Sequence, residues 1–430
     1  MEADRRGESS TISLSPSPAW PQWPIADERT LAALQDVLDS GRWAISGPLN
    51  DPAKYGKAKE QQFAEQFAEY CGARFCVTMD HGTSALIAAL EALDIGFGDE
   101  VIVPGLTWIA PAIAVLSVNG VPVMADIDPA TLCISVDSVA ERITRRTRAI
   151  IAIHMYGCMA DMDALRALAD KHGLVIVEDA AHSHGAVWRG KKAGTLGDIG
   201  VFSMQHGKVL TCGEGGAAIT DDPVLKERLE ASAWNARCRI SEAPALPFSM
   251  GLTEGLRRFG TNRCLSEFQA ALLLDQLPRL DGQNTVREHN ARYLERELSE
   301  IPGVITMEHP SQIDSRTYYG YVIRIDAQRF GCTAAQLILK LQLVLGMGDF
   351  MLHPVYKPLY RNPLYAPHPR RHGALGEAYT RALDTAEIML PGCELVYEQA
   401  VVFHHSVLLA SMEQIARVVE AVRTIYFEQQ

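Results

Sequence analysis

No stretch of this sequence is apolar enough to cross a membrane. The richest candidate, Ile109 to Ala125, is broken by Ser117, Asn119, Gly120 and Pro122, well short of the roughly 20 apolar residues a bilayer helix needs. The N-terminus, MEADRRGESSTISLSPSPAW, lacks the apolar core of a secretory signal. Positive charge is scarce: Lys+Arg number 40 against 52 Asp+Glu, a net charge of -12. That is the wrong sign for a nucleic-acid partner, which calls for a basic face, although local patches can differ from the total. Paired cysteines are missing as well. The nine Cys (71, 76, 133, 158, 212, 238, 264, 332, 393) include no C-x-x-C pair, which speaks for reduced thiols in a cytoplasmic protein rather than a disulfide framework. No Cys/His/carboxylate spacing supports zinc, so no metal is expected. There is no internal repeat. What remains has the composition of a soluble globular protein, 47% hydrophobic and 21% charged over 430 residues, long enough for two domains and a large core.

Residues 1–20 are polar and Ser/Pro-rich, and are expected to form a disordered tail. From there short apolar runs (75–79, 101–103, 121–126, 149–153, 174–177, 199–202) alternate with helical segments. Such alternation predicts an α/β fold with a mostly parallel sheet, here assigned to a large domain over 21–285. The helix opening at Leu265 is expected to run to about Leu280 and on into 286–300. From about 303 the pattern changes to a strand at 318–325, helices at 333–346 and 412–427, and a Pro/His-rich loop at 353–372. This predicts a smaller C-terminal α+β domain over 286–430.

The chemistry concentrates between Gly173 and Thr220. The run Leu174–Val177 reads as a strand buried on both faces, and it stops at Glu178 and Asp179. An acid at the carboxyl end of such a strand lies where open α/β sheets bind ligands. The next strand leads into Ser203, Lys208 and the glycine-rich Gly213-Glu214-Gly215-Gly216. A carboxylate and a lysine at strand ends suit a cofactor with a cationic nitrogen at one end and an aldehyde at the other, which describes pyridoxal 5'-phosphate. Lys208 is the candidate nucleophile, whose amine must be partly neutral to attack a carbonyl. Asp179 would keep the ring nitrogen protonated. Upstream, His81-Gly82-Thr83-Ser84 joins a strand to a helix and offers free backbone N–H groups to an anion. A plain helix cap by Thr83 or Ser84 is the competing reading. Gly82, Thr83 and Ser203 would hold the phosphate, Trp108 would either stack on the ring or belong to the core, and the segment at Ala181-His182 would line the other face.

Beyond these residues, the chain resembles the fold-type-I, pyridoxal-phosphate-dependent sugar aminotransferases of the DegT/StrS family. The resemblance runs from about Trp20 to the C-terminus and rests on WAISGP, HGTSAL, GDEVIVPGLTW, HMYG-x-MADMD, VIVEDAAHSHGA, GDIGVFSMQHGK and GEGGAAIT. It implies a Schiff base on Lys208, an Asp179–ring nitrogen pair, and a homodimer with shared active sites in which Asn262 reaches the neighbour's phosphate. His182 stands where many members carry Gln, which would add a titratable group at the cofactor face. Further stretches, among them NRCLSEFQAALLLDQL, LHPVYKPLYRNPLY and VVFHHSVLLA, resemble the branch that acts on cyclitols in aminoglycoside biosynthesis. That branch implies a keto-cyclitol acceptor of the 2-deoxy-scyllo-inosose or scyllo-inosose type and L-glutamine as donor. Ser46, Arg263, Tyr319, His353, His404 and His405 are then the candidate substrate contacts. The alternatives are an aminotransferase for a nucleotide-linked keto-sugar and a non-catalytic regulator that binds the cofactor. A dehydratase of the same fold would carry His in place of Lys208.

Overall fold

The computed structural model describes residues 19–46, 56–239, 253–254 and 258–429. Its main sheet has seven strands: β1 (Phe75–Met79), β2 (Glu100–Pro104), β3 (Val121–Ala125), β4 (Thr147–Ile153), β5 (Val175–Asp179), β6 (Ile199–Ser203) and β7 (Gly216–Thr220). They lie in the order β1-β7-β6-β5-β4-β2-β3. Neighbours from β6 through β3 pair in parallel, whereas β7 runs antiparallel to both β6 and β1. The strands are mostly apolar because both faces of the sheet are covered. Every residue of β2 and β7 is buried, as parallel sheets between helical layers require.

The helices between the strands begin and end where local chemistry dictates. Asp161 caps Met162–His172 through Ala164 N–H, and Gly173 closes it at φ 65, a left-handed conformation that glycine adopts without penalty. The stacked rings of Phe63 and Phe67, 5.4 Å apart, are fully buried under the sheet, each contributing about 2–3 kcal/mol of burial. The long helix expected from Leu265 starts instead at Glu267, behind a Ser266–Gln269 capping box. It passes through a 3-10 turn at Leu277–Arg279 before resuming as Leu280–Leu298. Pro278 has no N–H to donate and breaks the hydrogen-bond ladder there.

A second sheet, β8 (Val304–Thr306), β9 (Gly320–Ile325), β10 (Leu352–Pro354) and β11 (Ala400–His404), is antiparallel in the order β8-β9-β11-β10. It packs with Ala334–Leu345 and Met412–Glu428 around a core of its own. The helix Leu280–Leu298 spans the boundary expected at 285/286, with Leu280 in the first core and Leu294 and Leu298 in the second. Trp20 belongs to the second core, its Nε1 donating to Leu345 O at 2.8 Å. Among the described residues no helix is long and apolar enough to cross a membrane.

Candidate active site

The carboxyl ends of β1, β2, β4, β5 and β6 and the C-terminal unit enclose a cavity of about 580 Å³. Its floor is set by the turn after β1. The helix Gly82–Ala92 begins there, and its N-cap residue His81 makes no side-chain capping bond. Thr83 and Ser84 sit inside the helix rather than at its cap, so the first N–H groups remain open, and Gly82 and Thr83 line the cavity. A Cβ on Gly82 would lie 2.6 Å from Ser203 Cβ, so only glycine lets this backbone approach the Ser203 hydroxyl. Gly82→Ala is expected to weaken binding of pyridoxal phosphate at least about tenfold, or 1.4 kcal/mol. Fluorescence titration of the cofactor-free chain measures it, and a change under twofold would remove the turn from the cofactor site.

Two adjacent acids end β5 and, because successive strand residues face opposite ways, they have separate duties. Glu178 is fully buried and accepts from Gly194 N–H (2.6 Å), Leu196 N–H (2.7 Å), Gly197 N–H (2.9 Å) and His154 Nε2 (2.7 Å). His154 Nδ1 accepts from Ala160 N–H at 3.2 Å, which leaves the proton on Nε2. Glu178 is thus a structural hub; Glu178→Ala should cost about 3–5 kcal/mol of stability by urea unfolding, the range for breaking a buried charged network. A loss below about 1 kcal/mol would contradict that role. Asp179 faces the cavity instead, and among the described residues its carboxylate accepts from Ala181 N–H at 3.0 Å. Burial pushes its carboxyl above the usual range, with Ala181 N–H, Lys208 and His154 opposing. A buried carboxylate facing a cavity without a hydrogen-bonded cation is a ready partner for a cationic ligand atom.

Lys208 sits in the connection between β6 and β7. Its N–H donates to Gln205 O, and Gly207 N–H donates to Gln205 Oε1, both at 2.8 Å. The ammonium lies 4.2 Å from the centre of the Tyr319 ring, within cation–π range. Tyr319 stacks on His182 at 3.9 Å and 14°. His182 is buried and accepts from Tyr156 N–H through Nδ1 at 3.5 Å. Burial first, then Lys208, holds its pKa well below 6.5. The imidazole is therefore neutral at physiological pH, and the pH dependence expected from its charge is corrected to a neutral, stacking role.

Of the remaining expected residues, Trp108, Ser203, Tyr319, His353 and His404 line the cavity. Trp108 is half exposed at the cavity wall, 5.9 Å from the Tyr356 ring, and is not core. Ser46, Asn262, Arg263 and His405 do not line it. Arg263 is engaged by Glu91, through Oε2 at 2.7 Å and Oε1 at 3.0 Å, and by Ser232. Asn262 is exposed and accepts from Cys264 N–H. Ser46 is half-buried at the edge of the described residues. His405 lies behind the cavity with Nε2 on Gly207 O. The sequence reading overlooked Tyr356 and Phe350, which line the cavity, and Tyr156, whose ring lies parallel to that of Tyr356 at 5.9 Å. Tyr156 lies in HMYG and Tyr356 in LHPVYKPLY, but their convergence has no local signal, and Phe350 lies in neither motif. No group of three or more His, Cys, Asp or Glu among the described residues forms a metal cluster.

Comparison with known proteins places the chain in a family. The profile of the DegT/DnrJ/EryC1/StrS aminotransferase family matches residues 24–423. The L-glutamine:2-deoxy-scyllo-inosose aminotransferase of Streptoalloteichus tenebrarius is 45% identical, covering 94% of each chain. The L-glutamine:scyllo-inosose aminotransferase of Streptomyces griseus is 42% identical, covering 97% of each. Among solved structures, an aminotransferase from Psychrobacter cryohalolentis superposes with a TM-score of 0.82 at 27% identity, covering 95% of this chain and 99% of that one.

Proposed function

Because this chain belongs to the DegT/DnrJ/EryC1/StrS aminotransferase family, we propose that it is a pyridoxal-phosphate-dependent aminotransferase that moves the amino group of L-glutamine onto a free keto-cyclitol, of the 2-deoxy-scyllo-inosose or scyllo-inosose type, in aminoglycoside antibiotic biosynthesis. The observation that carries the reading is the convergence in one cavity of Lys208, the buried Asp179 and an uncapped helix N-terminus. These residues fit the cofactor: Gly82, Thr83 and Ser203 suit its phosphate, Asp179 its ring nitrogen, and Lys208 its aldehyde, with Trp108 and His182 beside the ring. When bound, the cofactor supplies an electron sink for the electrons of a breaking Cα–H bond and carries the amino group between substrates.

The protein supplies placement, charge and proton transfer. Asp179 places a carboxylate in a buried position, where it would keep a proton on the ring nitrogen of the bound cofactor. With the cofactor bound, Lys208 Nζ would take the proton from the α-carbon of the donor and deliver it to C4′ of the cofactor, work for which a positioned base contributes about 10²–10⁴-fold. Lys208 in place of His argues against dehydration. The neutral His182 holds its ring parallel to Tyr319 without adding charge.

Acceptor choice follows from the charge of the lining. Among the described residues that line the cavity, Lys208 is the sole Lys or Arg, and Asp179, Glu214 and Asp349 lie there with it. A diphosphate-linked sugar needs a cationic clamp, whereas a polyol needs donors and acceptors such as Tyr319, His353, Gln205 and Asp349. Asn262, exposed and outside its own chain's cavity, suits contact with the phosphate of a second copy, which makes the working unit a homodimer. Side-by-side assays of scyllo-inosose, 2-deoxy-scyllo-inosose, an amino-substituted ketone and a nucleotide-linked keto-sugar with L-glutamine should show one unsubstituted ketone aminated at least about 100-fold faster than the nucleotide-linked sugar, a ratio that polar groups left unpaired can reach or exceed. Preference for the nucleotide-linked sugar would reverse the acceptor assignment. Failure of every amino donor to change the cofactor spectrum would make the protein a sensor.

A further inference from the structure

His404, the last residue of β11, and His405 after it lie deep in the molecule, and both turn Nε2 toward the carbonyl of Gly207. His404 Nδ1 accepts from Ser406 N–H at 3.3 Å. Its ring proton therefore lies on Nε2, which donates to Gly207 O at 3.2 Å. His405 Nε2 faces the same oxygen at 3.1 Å, and an imidazole nitrogen facing only a carbonyl carries the hydrogen. Gly207 O thus uses both lone pairs on two imidazole donors. One peptide earlier, Trp23 Nε1 donates to His206 O at 3.0 Å, from a segment 183 positions away. The Trp23 ring stands edge-on to His405 at 4.5 Å and 88°, and the guanidinium of the fully buried Arg287 lies 5.2 Å from it. The gripped carbonyls belong to the two residues immediately before Lys208.

We propose that Trp23, His404 and His405 are positioning residues: a three-donor clamp on the His206 and Gly207 carbonyls that fixes the peptide planes from which Lys208 projects. The clamp rests on the reading of Lys208 as the reacting amine. Two of its donors come from the C-terminal unit and one from the N-terminal segment, so the backbone under the lysine is set by parts of the chain remote in sequence. Gln205 completes the turn from within, through Gly207 N–H and Lys208 N–H. The twin donors on one oxygen orient that peptide more tightly than a single bond, because rotation that shortens one lengthens the other. The fall of both histidines well below their ordinary pKa, by burial foremost, keeps two adjacent rings uncharged beside Arg287.

The test uses Trp23→Phe and His405→Phe, which remove an N–H while keeping a ring, and His405→Gln, which keeps a side-chain N–H donor. In the cofactor-free full-length chain, the rate at which an amine-acylating reagent modifies Lys208 is read by peptide mass spectrometry, beside a thermal melt that reports folding. With the cofactor bound, single-turnover kinetics with L-glutamine separate maximal rate from half-saturation. The clamp predicts several-fold faster acylation of Lys208 and about a tenfold to hundredfold slower half-reaction in the Phe variants, the scale of a misplacement near 1 Å, with little change in half-saturation. His405→Gln should recover most of both. Phe variants that fold and match wild type in acylation and half-reaction overturn the clamp, as does a Gln variant no better than Phe. If the wild-type protein shows no half-reaction with any amino donor, the proposed function fails on its own, and the acylation rates still decide whether the turn is held. A variant that does not fold leaves that decision to Trp23→Phe, at the partly exposed end of the clamp.

Discussion

Replacing Lys208 with alanine should abolish turnover, lowering the half-reaction with L-glutamine by about 10⁴-fold, the upper range for removal of a positioned proton-transfer group. The cofactor should still bind, because the Gly82–Thr83 turn, Ser203 and Asp179 are untouched. The absorption band of the lysine-bound cofactor should give way to that of the free aldehyde. Added methylamine should restore part of the rate, since a small amine fits the space left by the side chain and supplies the missing base. Lys208→Arg keeps a charge near Tyr319 but stays protonated, and so should be as inactive as alanine. Stopped-flow absorbance follows all three, and residual activity within about a hundredfold of wild type would remove Lys208 from the proton-transfer role.

The second large effect belongs to Asp179, where activity and stability should move in opposite directions. A neutral amide at Asp179→Asn cannot hold a proton on a ring nitrogen, and turnover should fall about 10²–10³-fold, as for other lost charge-stabilising groups. The carboxyl of the cofactor-free chain is raised above its ordinary value by burial. The folded state therefore binds that proton more tightly than the unfolded one. Its ionisation costs nothing below the unfolded pKa of about 3.9, and the full cost is present once pH exceeds the folded value. At neutral pH Asp179→Asn removes that cost while keeping an oxygen for Ala181 N–H. The cofactor-free variant should melt about 2 °C or more above wild type, the scale of a 1 kcal/mol change in a large domain. A lower melting point with wild-type turnover would remove Asp179 from the cofactor site.

Much of this site could be read from sequence because it lies at strand ends. Apolar runs stopping at Asp179 and Ser203, and the small-residue turn at Gly82–Thr83, are local patterns whose meaning does not depend on distant residues. What could not be read was how neighbours divide labour. Glu178 and Asp179 look equivalent in sequence, and only the alternation of β5 sends one to four interior donors and the other to the cavity. Arg263 looked available until the fold brought Glu91 to it, and His404–His405 looked like a binding pair until Gly207 O met both rings. The aromatic group of Tyr156, Tyr319 and Tyr356 joins Tyr156 to two rings about 160 to 200 residues further along the chain, a separation for which periodicity carries no signal. The break in the long helix after Gln276 is local, in that Pro278 has no N–H to give to the ladder.

The place of β1 in the sheet has a consequence for the order of assembly. Although β1 is synthesised first among the seven strands, its sheet partner is β7, with Phe75 opposite Thr220 and Met79 opposite Gly216. A ribosome must deliver the whole sheet before its earliest strand can dock, a pairing of high contact order and hence a slow one. That single pairing also joins the anion-binding turn after Met79 to the glycine-rich end of the lysine loop. The two halves of the proposed cofactor site are therefore joined only by the last strand of the sheet to be synthesised.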